Sequence, residues 1–231
     1  MISVLTLTYQ RHGILEEAIH SFLMQDFEDS EMVILNDSPD VIYKFDYPRV
    51  RVINYPTRFP SIGKKLEYGF SICKGNFIYR LDDDDLLAPD ALSLVNSYTV
   101  EKHDIYRCHY AYFLEHNIYR GFSDNINNGN CYSKEYVQRI KFPDVSIIED
   151  VDITFNQGAD IFIGDTGKYS MIYRWGMNTY HISGLGVEHA NNSNYIFGRV
   201  DGLVKKENGE IVLNPHFNID YYNLIKTGIG N

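Results

Sequence analysis

The chain has 231 residues, and its 21 Lys and Arg against 31 Asp and Glu leave a formal net charge of −10. That balance repels nucleic-acid phosphates and anionic lipid on average, and 44% hydrophobic with 23% charged residues describes a folded globular protein rather than a disordered one. Cys73, Cys108 and Cys131 are odd in number and form no C-x-x-C pair, which argues against a disulfide framework or a zinc ribbon and for a reducing compartment.

Met1-Ile2-Ser3 runs into an apolar segment with no basic leader, and no apolar run approaches the roughly 18 residues that a membrane span needs. The expectation is a cytoplasmic protein with no integral membrane segment. Residues 2–8 are rich in β-branched side chains and read as a buried strand. Ile14, Leu15, Ala18, Ile19, Phe22 and Leu23 then recur at helical spacing. Met32–Leu35 is a second apolar run, stopped by the turn-forming Asn36-Asp37-Ser38-Pro39, and Val50–Ile53 is a third. Ile62, Leu66, Phe70 and Cys73 mark a second helix closed by Lys74-Gly75-Asn76. A fourth strand, Phe77–Leu81, runs directly into Asp82-Asp83-Asp84-Asp85. A helix around Ala91–Val95 follows, with Asp90 placed to cap it. Strands alternating with helices predict an α/β fold with a largely parallel sheet.

The second half reads differently. Ile105–Leu114 and Ile118–Phe122 are Tyr-rich and predict a hairpin turning at Glu115-His116-Asn117. Ser133–Ile140 is a short helix, residues 171–183 are irregular, and Ile219 to Ile225 is a last amphipathic segment that docks back.

In parallel α/β sheets, ligands lie beyond the carboxyl ends of the strands. Here those ends carry Thr8-Tyr9, Asn36-Asp37, Asn54-Tyr55 and Asp82-Asp83-Asp84. Each could simply cap or turn the chain; together they describe one polar edge. The acidic run is the sharpest feature. Adjacent carboxylates repel by about 1 kcal/mol at ~4 Å even in water, so the run is either a solvated loop or the seat of a divalent cation shared with substrate phosphate oxygens. Hard oxygen ligands favour Mn²⁺ or Mg²⁺ over zinc. Other signatures fail: Leu86 and Leu87 break an EF-hand, and Arg58 stands where a Walker A loop before Gly63-Lys64 needs glycine. Gly184-Leu185-Gly186 continues to His189 instead of a dinucleotide fingerprint, and no H-E-x-x-H occurs.

Ser3–Arg11, Val33–Asp40, Leu81–Asp85 and Ile148-Glu149-Asp150, in that order, resemble family 2 glycosyltransferases of the GT-A fold over roughly residues 1–183. The resemblance implies a Rossmann-like, mostly parallel sheet flanked by helices, with a smaller antiparallel hairpin region, in one domain spanning 1–231. Residues 1–100 would bind the nucleotide sugar, 101–187 would shape the acceptor and catalytic half, and 188–231 would form a tail. It implies that Thr8, Tyr9 and Arg11 line the nucleotide pocket and that Asp37 meets a pyrimidine base. Asp82 and Asp83 would sit near the ribose, with Asp84 on the metal. Asp150 would be the catalytic base and Glu149 would contact backbone or acceptor. Tyr173-Arg174-Trp175 through His181 would lie near the diphosphate, with His181 completing the metal shell. Two positions depart from the pattern. Asn36 replaces the first of two acids, and Leu66-Glu67 stand where an Arg-Asn pair is usual, leaving the diphosphate to Lys64, Lys65 or the metal.

The implied reaction moves a sugar, with inversion, from a nucleotide donor such as a UDP-sugar to a saccharide hydroxyl. The same chemistry on a hydroxymethylated DNA base is an alternative that the −10 charge disfavours. A nucleotidyltransferase would need a Gly-rich loop after the first strand, where only Gly13 is present. A non-catalytic sugar- or nucleotide-binding module would have no use for intact Asp84 and Asp150. The Glu149-Asp150 pair has a plainer reading too, as the cap of a helix starting near Val151, with Asp152 an equal candidate for that role.

Overall fold

A computed structural model describes residues 1–114, 118–121, 128–146, 149–174 and 207–228. Chain order gives β1 (Ile2–Thr8), α1 (His12–Leu23), β2 (Ser30–Asn36), β3 (Val41–Lys44), β4 (Val50–Asn54), α2 (Ile62–Ile72), β5 (Phe77–Arg80), β6 (Leu86–Leu87) and α3 (Ala91–Tyr98). The second half supplies β7 (Ile105–Arg107), β8 (Tyr110–Phe113), β9 (Ile118–Gly121), β10 (Cys131–Ser133), α4 (Lys134–Arg139), α5 (Glu149–Phe155), β11 (Ile161–Ile163) and β12 (Tyr169–Tyr173). After them come β13 (Gly209–Val212) and α6 (Tyr221–Gly228).

A seven-stranded sheet runs β11-β7-β10-β5-β1-β2-β4. β5, β1, β2 and β4 are mutually parallel, and β10 alone runs antiparallel to both its neighbours. Period-two alternation along β1 decides the layers. Ile2 and Val4 face a core shared with Leu15, Ile19 and Phe22 of α1 and Leu92 and Val95 of α3. Leu5 faces the opposite core, with Leu66 and Phe70 of α2, Tyr136 of α4 and Ile153 of α5. The helical spacings read from the sequence thus bury the expected faces, and the predicted α/β fold with a largely parallel sheet is the one observed.

Several expectations change. The predicted Tyr-rich hairpin is present as β8 and β9, which pair antiparallel in a separate sheet of order β6-β12-β8-β9, but its first arm is shorter than expected because β7 joins the large sheet. Its turn, Glu115–Asn117, lies outside the described residues. Tyr169–Tyr173, in part read as irregular, is a strand with both β6 and β8 as neighbours. Asp90 makes no side-chain capping bond to α3, whereas Ser133 does cap α4 through the Tyr136 N–H. The final amphipathic segment docks as α6, burying Tyr221 and Ile225 against Leu86, Tyr112 and Ile172. Among the described residues, no helix is long and apolar enough to cross a membrane.

Candidate active site

Thr8, Asn36 and Asn54 lie in register at the carboxyl ends of β1, β2 and β4, and Arg80 ends β5 on the same side. Asn36 is scaffold. Its amide donates to the Val41 carbonyl (2.9 Å) and to Asn54 Oδ1 (3.0 Å), and its Oδ1 accepts the Ser38 N–H (3.1 Å). An acid there could not donate these bonds, which accounts for the departure from the family pattern. Beyond β1 the chain turns through Gln10 at φ 53°, a left-handed conformation that costs a non-glycine residue roughly 1–2 kcal/mol. The Gln10 amide donates to Ser38 Oγ at 3.1 Å and ties this turn to the end of β2.

The turn delivers Arg11 to the acidic run. Its guanidinium forms a fork on Asp83, with Nε 3.1 Å from Oδ2 and Nη2 on Oδ1. Nη1 lies 3.3 Å from Asp84. Arg11 is thereby placed on the acids, and burial, which lowers its pKa, is outweighed by Asp83, Asp84 and Asp82, which raise it. Asp83 is fully buried and pairs with Arg11; burial pushes it up to about 6 against the pull of Arg11.

Asp82, Asp84 and Asp85 converge, each bringing one oxygen within 4.8 Å of the others. Within the acidic run, the sequence assigned Asp85 no role of its own. It is buried, accepts Asn128 Nδ2 at 2.6 Å and the Arg174 N–H at 3.1 Å, and is raised well above the ordinary range by burial and then by Asp84 and Asp82. Asp82, the most exposed, is raised by burial and by Asp84 and Asp150, with Arg80 opposing. Like charges at ~4 Å repel by about 4 kcal/mol at an effective dielectric of 20. Three converging hard oxygen donors at a strand end, two of them buried, fit Mg²⁺ or Mn²⁺.

Opposite the acidic loop, α5 begins with the acid pair. Glu149 is 5% exposed and lies 3.2 Å from Arg80 Nη2. Burial pushes it up to about 7, with Arg80 opposing. Asp150 is half-buried, and its Oδ1 accepts the Val151 N–H at 2.8 Å. The pair thus lies in the first turn of a helix. There, successive side chains diverge by about 100°, and the desolvated member is Glu149. Asp152 caps nothing; it accepts from Asn156 and Gln157 instead. The influence of Asp150 on Asp82 puts the two motifs within electrostatic reach of each other.

The other singled-out residues are distributed as follows. Asp37 is buried, with Oδ2 accepting the Phe59 N–H (3.0 Å) and Oδ1 taking the Lys65 ammonium (2.5 Å), which also donates to the Thr8 carbonyl (2.7 Å). Tyr9 carries the Arg58 guanidinium 4.0 Å above its ring. Lys64 projects from α2 onto Glu67 at 2.7 Å, on the helix surface. Arg174, buried, donates to the Asp84 carbonyl and to Glu17, and so clamps the backbone of the acidic loop. Trp175 and His181 lie outside the described residues. The sequence reading passed over Arg80 and Glu17. Arg80 sits inside an apolar strand and Glu17 on an amphipathic helix, with no motif to mark either.

The profile of glycosyl transferase family 2 matches residues 3–159, and the chain belongs to that family. An uncharacterized glycosyltransferase of Haemophilus influenzae is 28% identical over 112 residues, 45% of this chain and 34% of that protein. Chondroitin synthase of Pasteurella multocida is 32% identical over 101 residues, 41% of this chain and 10% of the synthase. The chain thus spans about a third or less of the curated relatives it matches. Among solved structures, S. aureus TarS 1–349 in complex with UDP superposes with a TM-score of 0.59 at 17% identity, over 75% of this chain and 60% of that one. The mannosyltransferase of Pyrobaculum calidifontis in complex with GDP-Man and Mn²⁺ gives 0.52 at 14%, over 71% and 55%. The fold is that of GT-A glycosyltransferases.

Proposed function

We propose that the protein moves a sugar, with inversion, from a UDP-sugar to a saccharide hydroxyl, using Mn²⁺ or Mg²⁺. The observation that carries this reading is the convergence of Asp82, Asp84 and Asp85 beyond β5, facing the Glu149-Asp150 turn across Arg80. A divalent ion on Asp84 and its neighbours would neutralise the leaving diphosphate. Asp150, half-buried at the crevice, is the group assigned to take the acceptor proton; Glu149 is the poorer candidate because it is buried against Arg80. Thr8, Tyr9, Arg11 and Asp37 are assigned to the nucleotide side. For Asp37 this means that a base shares the carboxylate already held by Phe59 and Lys65. The TarS complex with UDP-GlcNAc, a structure of the same fold, supports the donor class. A cytoplasmic location goes with this reading, and three buried free thiols support it.

The test is release of UDP from a panel of UDP-sugars, with and without saccharide acceptors and Mn²⁺. Turnover that stops in EDTA and returns with Mn²⁺ is expected. Full transfer after exhaustive chelation overturns the metal assignment. Equal affinity for UDP and ADP by calorimetry reduces Asp37 to a turn residue, because a hydrogen bond to a charged group is worth about 1.5–3 kcal/mol.

A further inference from the structure

Arg80 closes β5 and is 6% exposed. Its Nη2 reaches Glu149 at 3.2 Å and its Nε lies 3.4 Å from Asp82, so one guanidinium spans the two acidic motifs. Nε and Nη1 are nevertheless buried without a hydrogen-bond partner among the described residues. Burial opposes its charge, and Asp82, Glu149 and Asp150 outweigh that effect. A buried ion pair is weak evidence for stability, since apolar residues of similar volume hold a core as well or better. A buried arginine with two donors not hydrogen-bonded among the described residues serves the fold poorly. It is suited to fixing the distance and orientation of two carboxylates supplied by different parts of the chain. Lysine, a point charge on a flexible stem, has no such fork.

We propose that Arg80 is a positioning residue for glycosyl transfer, whose guanidinium, reaching Asp82 on one side and Glu149 on the other, holds the first turn of α5 in register with the acidic loop. This rests on the reading of Asp82–Asp85 as the donor side and Asp150 as the base. Arg80 touches neither reactant. It sets where Asp150 stands relative to the donor, and geometry of that kind acts on kcat more than on donor binding.

Arg80→Lys and the double variant Arg80→Met/Glu149→Gln test it, with release of UDP from UDP-GlcNAc plus Mn²⁺ as the assay. The double variant removes both partners of the buried pair, so it keeps the fold where Arg80→Met alone could lose it. The expected result is a Tm within a few degrees of the parent for both. The kcat should be at least tenfold lower, with donor KM within threefold. Parent-like kcat in either variant overturns the inference. So does a raised donor KM at unchanged kcat, which would make Arg80 a donor contact. Asp150→Asn measured alongside separates the two readings: normal turnover there removes the base assignment, and normal turnover in Arg80→Lys removes the positioning role.

Discussion

At Asp84, charge repulsion and ion pairing oppose each other. Asp82 and Asp85 crowd the carboxylate, and Arg11, 3.3 Å away, offsets them. Asp84→Asn is therefore expected to remove most transfer activity while leaving Tm unchanged or higher; a large drop in Tm would show the pair with Arg11 to dominate. Glu149 yields a pH prediction. Its folded pKa of about 7 stands above the ordinary 4.5, so between those values the native chain holds a proton that the unfolded chain has released. The stability from this group is fully present below about 4.5 and lost as pH rises through about 7. Asp83, at about 6, contributes in the same direction over a lower window. Urea midpoints in EDTA should fall from pH 5 to pH 8, and Glu149→Gln should flatten that fall; identical slopes would mean that Glu149 titrates normally.

Helix α2 shows how an element can be positioned by its neighbours. Ser61 caps it, accepting the Lys64 N–H at 3.2 Å, and donates to Asp144 at 2.6 Å; the Ile62 N–H reaches Ser146 Oγ at 3.1 Å. Gly63 then passes so close to the 143–146 loop that a Cβ would stand 1.9 Å from the Pro143 carbonyl oxygen, while its N–H donates to Val145 at 2.9 Å. Gly63 is thus a packing glycine, which explains why its Walker-like setting leads nowhere. Gly63→Ala must push apart the helix and the loop that leads to Glu149. Overpacking of this kind costs about 1–3 kcal/mol, readable as a lowered urea midpoint, and kcat should fall with it. An unchanged midpoint would show that the loop yields freely. The long elements were legible because an apolar run or a helical period extends over seven or more residues, as in β1 and α1. β6, β10 and β11, of two or three residues, have no period to read; only their partners make them strands.

Across the molecule, the C-terminal residues close onto the N-terminal half. β13 pairs with β3, and Glu207 meets His12 and Tyr43. Buried Glu17 takes Arg174, the Tyr221 hydroxyl at 3.0 Å and the Asn218 N–H at 3.0 Å. Through Arg174, this one carboxylate links α6 to the backbone of Asp84. Glu17→Ala leaves Arg174 buried beside a void, and breaking such a pair costs about 3–5 kcal/mol. Denaturant unfolding should show the loss, with faster hydrogen exchange in Tyr221–Leu224. Exchange unchanged there would mean that apolar contacts hold α6 without Glu17.

The parallel sheet, its flanking helices and the acidic edge follow from local pattern. Apolar periodicity and strand-end polar residues are properties of neighbours in the chain. Which carboxylate does what is not a local property. Asp83 turns to Arg11, Asp85 joins the cluster, and Glu149 rather than Asp150 is desolvated. Each of these depends on a partner distant in sequence: Arg11 lies 72 residues from Asp83, Arg174 lies 89 from Asp85, and Arg80 lies 69 from Glu149. Charge interactions act through space at a few ångströms, and only the folded chain brings those partners within that range.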